Sequence, residues 1–347
     1  MINIAIIGSG GMAGNHVEHY QKIPNCRVVA ACDVDLDRAK AFAIKHAIPL
    51  AYGDVEELFA QADFHAVSNV TPDSFHAPIS LLALKHRKHV LCEKPLATNY
   101  ADALEMAQAA QKADVINMVN FSYRNSSAIH HAYELVKAGR IGRVMHVEGH
   151  YLQSWLSQNS WGDWKTTPAW LWRLSTAHGS KGVLGDIGVH LLDFASYPVG
   201  DIRSINCRLK TFAKAPQDQV GAYHLDANDS AVITLEFASG AIGSLCCTRW
   251  ATGHVNTVTL SIYGDEGSIK IDLDRSSTQL EWCQVKNGLA SPWTTVDCPA
   301  TPNIYERFIL SIMQQQQDQP DFARGAQIQC ALDASAESHH TGLSVQL

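Results

Sequence analysis

The first third of the chain alternates short apolar runs with stretches of helical periodicity. Five apolar runs indicate strands, at 2–7, 27–32, 64–70, 89–92 and 115–121. Five helical patterns lie between or after them, near 12–22, 35–46, 54–61, 76–86 and 99–113. Alternation of this kind is typical of βαβ units, in which helices cover both faces of a parallel sheet. Residues 1–122 are therefore predicted to form an α/β domain with a parallel sheet.

The pattern changes in the rest of the chain, where strands follow one another without intervening helices. A long strand is indicated at 143–155, and residues 231–237 alternate apolar and polar positions. Ser239-Gly240 then indicates a hairpin turn. Because successive hairpins build antiparallel sheets, residues 123–347 are predicted to form an α+β domain with a largely antiparallel open sheet.

Composition excludes several classes of function. The 347 residues are enough for two domains with separate cores. With 27 Lys+Arg against 34 Asp+Glu, the net charge is −7, and the densest basic run, 85–88, is short, so no nucleic-acid partner is expected. No apolar stretch approaches the ~18 residues of a membrane span, so no membrane partner is expected.

The cysteines and the start of the chain bear on its location. The 9 cysteines are scattered without a C-x-x-C pair, which is typical of buried thiols in a reducing compartment. The chain opens directly on a strand-like segment, with no pattern of a secretory signal before it. A cytoplasmic location is expected.

A glycine-rich motif lies between the first strand and the first helix. It has the form G-x-G-x-x-A and comprises Gly8, Ser9, Gly10, Gly11, Met12 and Ala13. The first glycine permits a tight turn, the second lets a pyrophosphate approach the backbone, and the helix N-terminus offers amides to it. Such turns also occur for packing reasons alone, so the motif needs a partner.

Asp33 provides that partner, about 20 residues on and at the end of the second strand. A carboxylate there would bind the adenine ribose hydroxyls; the alternative is an N-cap for the helix that begins near Asp35. The Asp33 carboxylate would also repel the 2′-phosphate of NADP. Val34 offers no cationic or hydroxyl contact to that phosphate, although Arg38 could swing toward it. The glycine motif and Asp33, with the strands and helix around them, predict that residues 1–122 form a dinucleotide-binding Rossmann domain. The carboxylate favours NAD over NADP.

Two further clusters carry candidate chemistry. Lys94 follows the strand that ends at Leu91, where ligands bind in parallel sheets, and it can stabilise negative charge on a reacting oxygen. A surface salt bridge with Glu93 is the alternative. Asp186 and His190 are four residues apart, on one face of a helix, so the carboxylate can orient an imidazole that accepts a substrate proton. A structural pair and a metal site are the rivals, but no nearby residues complete a ligand set.

Together these motifs resemble the Gfo/Idh/MocA family of glucose–fructose oxidoreductase, inositol dehydrogenase and rhizopine-catabolism proteins. The resemblance runs through almost the whole chain and rests on the glycine motif, Thr71-Pro72 with His76, Glu93-Lys94-Pro95 and the sequence G-D-I-G-V-H at 185–190. One departure is Asn69, which stands in a strand that is usually apolar; it is either a packing variant, which we favour, or a cofactor contact.

The resemblance implies a reaction and a set of site residues. Lys94 and His190 would be the catalytic pair, with Asp186 as the partner of His190, in the reversible oxidation of a ring alcohol of a sugar or polyol. The implied cofactor-binding residues are Gly8, Ser9, Gly10, Gly11, Met12, Asp33, Thr71, Pro72, His76, Glu93 and Lys94. The family also implies a homodimer or homotetramer formed through one face of the second sheet.

Substrate contacts are expected from residues near the second motif, together with Lys94, Asp186 and His190 themselves. Five of the eight tryptophans lie between 155 and 172, and Trp155 is the candidate among them, with lid or interface packing as the alternative. Tyr151 is a candidate on the long strand. Arg124 and Arg173 would either bind substrate oxygens or anchor their loops.

Three functions remain open from the sequence. The first is an NAD-dependent dehydrogenase or reductase acting on a sugar, an inositol or a related polyol. The second is an NAD-dependent glycosidase, which is redox-neutral overall. The third is a non-catalytic NAD-binding regulator, which the presence of both Lys94 and His190 argues against.

Overall fold

The chain folds into two units, each formed by two segments. The computed structural model describes residues 1–347, apart from the side chains of Pro168 and Ala169. The first unit comprises Met1–Ser122 with Pro302–Gln329, and the second comprises Tyr123–Thr301 with Cys330–Leu347.

A six-stranded parallel sheet forms the centre of the first unit, in the order β3-β2-β1-β4-β5-β6. Its strands are β1 (Ile2–Ile7), β2 (Cys26–Cys32), β3 (Leu50–Tyr52), β4 (Ala66–Asn69), β5 (His89–Cys92) and β6 (Asn117–Val119). The strand order reverses between β1 and β4, which is the point where such sheets bind ligands at their carboxyl edge. The predicted Rossmann fold is confirmed, with the short β3 as an addition.

The helices of the first unit connect these strands. They are α1 (Ala13–Tyr20), α2 (Leu36–Lys45), α3 (Val55–Gln61), α4 (His76–Lys85) and α5 (Tyr100–Ala113). Asp35, Asp54 and Asn99 cap α2, α3 and α5 by accepting hydrogen bonds from first-turn amides. These polar caps explain why each helix begins where it does.

A late segment of the chain completes the core of this unit. Its helix α9 (Ile304–Gln314) begins with a capping box between Asn303 and Glu306. The apolar face of α9, with Tyr305 and Phe308, belongs to the same buried cluster as Ile4 and Ile6 of β1. The predicted division, with all of 123–347 in one domain, differs here, because burial of this face attaches 302–329 to the first unit.

A ten-stranded sheet dominates the second unit. Its order is β16-β15-β14-β13-β7-β12-β11-β8-β18, with β17 beside β15, and all its pairs are antiparallel except β7 with β12. The strands are β7 (Val144–Gln153), β8 (Ile202–Lys210), β11 (Ser230–Phe237), β12 (Ile242–Thr248), β13 (Asn256–Gly264), β14 (Gly267–Asp272), β15 (Gln279–Lys286), β16 (Leu289–Ala290), β17 (Thr294–Asp297) and β18 (Val345–Gln346). A separate pair joins β9 (Gln219–Val220) and β10 (Tyr223–His224). The predicted α+β class and largely antiparallel sheet are confirmed.

Four more helices complete the fold. They are α6 (Ser127–Lys137), α7 (Pro168–Leu171), α8 (Val189–Val199) and α10 (Phe322–Thr341). A π-helical stretch, Leu184–Gly188, runs directly into α8. Across the described part of the chain, no helix combines the length and apolarity that a bilayer crossing requires.

Candidate active site

The glycine loop of the first unit combines one closely packed glycine with two open ones. Gly8 has φ of +91°, and a Cβ there would lie 2.6 Å from the carbonyl oxygen of Val70, so only glycine fits. A Cβ at Gly10 or Gly11 would meet no atom within 4 Å. The loop is therefore held against the strand behind it while its outer side offers room for a ligand. Met12 is exposed at the start of α1.

The carboxylate of Asp33 lies directly against this loop. Its Oδ2 accepts hydrogen bonds from the backbone N–H of Ser9, at 2.9 Å, and from the Ser9 hydroxyl, at 2.8 Å. Its Oδ1 accepts from the backbone N–H of Asp35, at 3.0 Å, and the Arg38 guanidinium pairs with both oxygens. Burial alone would raise the pKa of Asp33, but the hydrogen bonds from Arg38, Ser9 and Asp35 outweigh it and lower the pKa, so the group is an anion at neutral pH.

The alternative role of Asp33 as a helix cap is wrong. Asp35 is the N-cap of α2, where its side chain accepts from the Arg38 amide at 3.1 Å. Asp33 is thus not required for starting the helix. Its position, one strand across from the glycine loop, is the one that a ribose-binding carboxylate occupies in dinucleotide folds.

The loop that follows β4 is organised by Asn69 and His76. Asn69 is fully buried; its amide donates to the His76 carbonyl at 3.0 Å and to Ser80, and its Oδ1 accepts from the Thr71 hydroxyl at 2.7 Å. These contacts support the packing interpretation of Asn69. Pro72 is exposed at the tip of the loop.

Both ring nitrogens of His76 face carbonyl oxygens, those of Pro95 at 2.7 Å and Thr71 at 2.9 Å. Because a carbonyl only accepts, both nitrogens must donate, which makes the ring an imidazolium. His76 is 1% exposed and links the Thr71 loop to the Lys94-Pro95 turn. The predicted direct cofactor contact of His76 is therefore not supported; its ring supports two neighbouring loops instead.

This buried cation predicts a pH dependence of stability. Burial would lower the pKa of His76, but Cys92, Asp73 and the Pro95 carbonyl outweigh it and raise the pKa from 6.5 to about 10. A raised folded-state pKa gives stability that is complete below pH 6.5 and is lost as pH rises toward about 10. The free energy of unfolding should fall there by up to about 1.4 kcal/mol per pH unit. In urea titrations the His76→Gln variant should lack this component; parallel pH dependence in both proteins would contradict it.

In the turn after β5, the side chain of Glu93 is buried and that of Lys94 is half-buried. Glu93 is 8% exposed, and its Oε1 accepts from His16 and Asn120, so its carboxylate is buried rather than at the surface. Its Oε2 accepts from the backbone N–H of Lys94 at 3.2 Å. The Glu93 side chain thus faces the interior rather than the ligand side of the loop.

In the second unit, Asp186 lies in the π-helical stretch and His190 in the first turn of α8. Asp186 Oδ2 accepts from Arg249 Nη2 at 2.8 Å and lies 3.7 Å from Arg173 Nε. Arg249 is completely buried, and burial lowers its pKa, although Asp186 acts in the opposite direction. Asp186 is therefore fixed by two cations, and its predicted orientation of His190 stays a prediction.

Aromatic residues surround His190. The ring of Tyr123 meets the imidazole edge-on at 5.1 Å between centroids, and the ring of Tyr151 lies 6.5 Å away. The two phenol oxygens are 2.5 Å apart, and Asn256 donates to Tyr123 Oη at 3.0 Å. Burial raises the pKa of Tyr151, so its hydroxyl keeps its proton at neutral pH. The second unit thus places hydroxyl groups beside a candidate base.

Two predicted substrate contacts are not supported. Trp155 is 2% exposed, lies in a buried cluster with Trp164 and Leu174, and donates its indole N–H to Gln153 at 3.0 Å. Its surface is therefore used in packing.

Arg124 is 1% exposed and makes two 2.7 Å hydrogen bonds to Asp193, so it anchors its loop, which is the alternative left open by the sequence. Arg173 is partly exposed between Trp170 and Trp172, at 5.1 and 4.6 Å from their ring centroids.

Sequence reasoning missed two buried side chains. Arg249 follows β12, and a charged residue at the end of an apolar strand could have indicated it as a site residue. His16 is on the buried face of α1, and its position eight residues after Gly8 does not indicate a role in the site. Among the described residues, no three His, Cys, Asp or Glu side chains are grouped to hold a metal.

Comparison with known proteins covers both units. The model of the oxidoreductase family with an NAD-binding Rossmann fold matches residues 2–121, and the Gfo/Idh/MocA C-terminal domain model matches residues 129–270. Levoglucosan dehydrogenase of Pseudarthrobacter phenanthrenivorans is 30% identical over 79% of this chain and 74% of its own length. Myo-inositol 2-dehydrogenase of Thermotoga maritima is 27% identical over 80% of this chain and 77% of its own.

A solved structure agrees with these sequence matches. Levoglucosan dehydrogenase in complex with NADH and levoglucosan has a TM-score of 0.86 and 28% identity, over 99% of both chains. Since the two family models and a relative at this identity span both units, the chain belongs to the Gfo/Idh/MocA family of oxidoreductases.

Proposed function

We propose that this protein is an NAD-dependent dehydrogenase that reversibly oxidises a ring secondary alcohol of a sugar or cyclic polyol. The observation that carries the proposal is the anionic Asp33 carboxylate, hydrogen-bonded to Ser9 of the glycine loop. Together with the open faces of Gly10 and Gly11, it fits the ribose and pyrophosphate of a dinucleotide. When bound, NAD supplies the nicotinamide that accepts or returns the hydride.

The chain's own residues would handle the proton and the charge. His190, as a neutral imidazole, would accept the hydroxyl proton of the substrate, and such general bases contribute about 10²–10⁴-fold. The ammonium of Lys94 would donate a hydrogen bond to the same oxygen as negative charge develops on it. Asp186, held by Arg249 at 2.8 Å, would orient the imidazole or bind a neighbouring hydroxyl.

The preference for NAD over NADP is supported by the same carboxylate. Asp33 is ionised, and a 2′-phosphate beside it would be repelled. Arg38, the cation that would otherwise attract the phosphate, is paired with Asp33 through both of its oxygens. Binding of NADP would require this pair to separate.

The substrate class is supported by the relatives and by the second unit. The named relatives act on levoglucosan and on myo-inositol, both rigid polyhydroxylated rings. Tyr123 is partly exposed with its ring edge-on to His190, and its hydroxyl is suited to a hydrogen bond with such rings. A homodimer or homotetramer is part of the proposal, supported by exposed Val232 and Ile242 on the ten-stranded sheet. The proposal includes a cytoplasmic location.

A turnover assay tests the proposal. Purified protein with NAD, and separately with NADP, is followed for reduced cofactor across inositols, aldoses, anhydrosugars and glycosides. We expect NAD reduction with one class of ring polyol, and a large drop in its rate in the Lys94→Ala variant. NAD-dependent release of sugar from a glycoside without net reduction would instead establish the redox-neutral glycosidase. NAD binding without turnover on any compound would favour the regulator.

A further inference from the structure

A chain of buried polar side chains lies behind the Lys94 turn in the first unit. His16 of α1 is completely buried, with Nε2 2.8 Å from Glu93 Oε1 and Nδ1 2.7 Å from Ser68 Oγ. Tyr20, also completely buried, has its hydroxyl 3.2 Å from Ser68 Oγ. The proposed reaction assigns no role to His16. Burial of its polar ring requires compensating hydrogen bonds, and the ring has one on each nitrogen.

The hydrogen bond between His16 and Glu93 has a definite direction. Burial would raise the pKa of Glu93, but His16, Lys94 and Asn120 outweigh it and lower the pKa to about 2. An ionised carboxylate only accepts, so Nε2 of His16 donates to Oε1 of Glu93.

Tyr20, Ser68, His16 and Glu93 are thus joined in one continuous chain of hydrogen bonds between buried side chains. This chain ends on the carboxylate of Glu93, the residue that precedes Lys94.

The carboxylate of Glu93 is held from several sides. Asn120, after β6, donates to Oε1 at 2.6 Å, and the backbone N–H of Lys94 donates to Oε2 at 3.2 Å. His16 therefore acts on the carboxylate oxygen that is not bonded to the Lys94 backbone. Because both oxygens belong to one carboxylate, the hydrogen bond from α1 to Oε1 helps to keep Oε2 beneath the Lys94 N–H.

We propose that His16 is a positioning residue for Lys94, acting through Glu93. The proposal rests on the proposed function, in which the Lys94 ammonium stabilises charge on the substrate oxygen. Such stabilisation depends on geometry to within a fraction of an ångström. Without the His16 hydrogen bond, Asn120 alone holds Oε1 of Glu93, so Oε2 is held less firmly beneath the Lys94 N–H.

The competing explanation is that His16 only fills the core. Its ring packs edge-on against Tyr305 at 4.9 Å, so its removal would also leave a packing defect. Val17, the next residue of α1, is equally buried in the same cluster and provides a matched control for such a defect. A glutamine at position 16 retains an amide that can donate to Glu93 and accept from Ser68, so it separates hydrogen bonding from packing.

A double-mutant cycle tests the proposal on the full-length protein. His16→Phe, His16→Gln and Val17→Ala are made alone and combined with Lys94→Ala. We expect His16→Phe to lower kcat about tenfold, with the substrate KM and the NADH Kd changed less than about twofold, and His16→Gln to restore most of the loss. With alanine at 94, His16→Phe should change the residual kcat by less than about twofold, because the group through which it acts is gone. Val17→Ala should leave kcat unchanged.

Equal losses from His16→Phe in both backgrounds, or a comparable loss from Val17→Ala, would overturn the proposal.

A readout without turnover keeps it testable if no substrate is oxidised. Lysines are dimethylated with ¹³C-formaldehyde, and the Lys94 methyl resonance is identified by its absence from Lys94→Ala. His16→Phe should shift or broaden this resonance, and Val17→Ala and His16→Gln should not. An unchanged resonance would overturn the positioning role, whereas absence of turnover in the unmodified protein would overturn only the proposed reaction.

Discussion

Replacing Asp33 with serine should convert the proposed NAD preference into a preference for NADP. Loss of a charge-assisted hydrogen bond to the ribose hydroxyls, worth about 1.5–3 kcal/mol, should lower kcat/KM for NAD by about 10–100-fold. For NADP the direction is opposite, because the repelling anion is gone and Arg38, now paired with Asp33 through both oxygens, becomes available to the 2′-phosphate. The ratio of kcat/KM for the two cofactors measures the change.

Two controls separate this effect from damage to the loop. Asp33→Asn keeps an acceptor for the Ser9 amide but removes the charge, so it should lose the discrimination against NADP without loss of folding. The Asp33→Ser, Arg38→Ala double variant should lose the gain with NADP, because the phosphate then lacks its cation. If Asp33→Ser still prefers NAD by the original ratio, the carboxylate does not determine the specificity.

The second large effect is expected at His190. His190→Ala should lower kcat by about 10²–10⁴-fold, because it removes the proposed general base. The NADH Kd should change little, since the glycine loop and Asp33 belong to the first unit and His190 to the second.

A histidine elsewhere in the same unit provides the comparison. His146 of β7 lies partly exposed near Glu148, so His146→Ala should leave kcat and its pH profile unchanged. Retention of kcat within about tenfold in His190→Ala would contradict the role of general base. A matching rise in the NADH Kd would show that the substitution had disturbed the cofactor site instead.

The fold was largely predictable because most elements have a periodicity of their own. The parallel strands of the first unit are buried apolar runs, and β11 alternates buried and exposed positions as expected. The exceptions are elements with weak patterns. β3 has only three residues, and α10 buries Gly325, Ala326, Ser335 and Ser338, which do not stand out as a hydrophobic face.

The site was predictable only where its residues form local motifs. The glycine loop and Asp33 follow from spacing within one βαβ unit, whereas His16 and Glu93 are 77 positions apart, and Asp186 and Arg249 are 63 apart. Such pairs have no mark in a single sequence, because nothing local indicates which buried polar groups meet. The same applies to Arg124: only its bond to Asp193 distinguishes an anchoring arginine from a substrate-binding one.

The return of residues 302–329 to the first unit has a consequence for how the protein is made. On the ribosome the chain elongates from its N-terminus at about 5–20 residues per second, and domains generally fold as they emerge. Here the face of α9 with Tyr305 and Phe308 completes the core around Ile4 and Ile6, so the nascent first unit has an uncovered apolar surface until nearly the whole chain is synthesised. Stop codons after residue 122 or 301 would therefore release aggregation-prone products. For the same reason, a gene fusion that carries only residues 1–122 would not transfer a complete first unit.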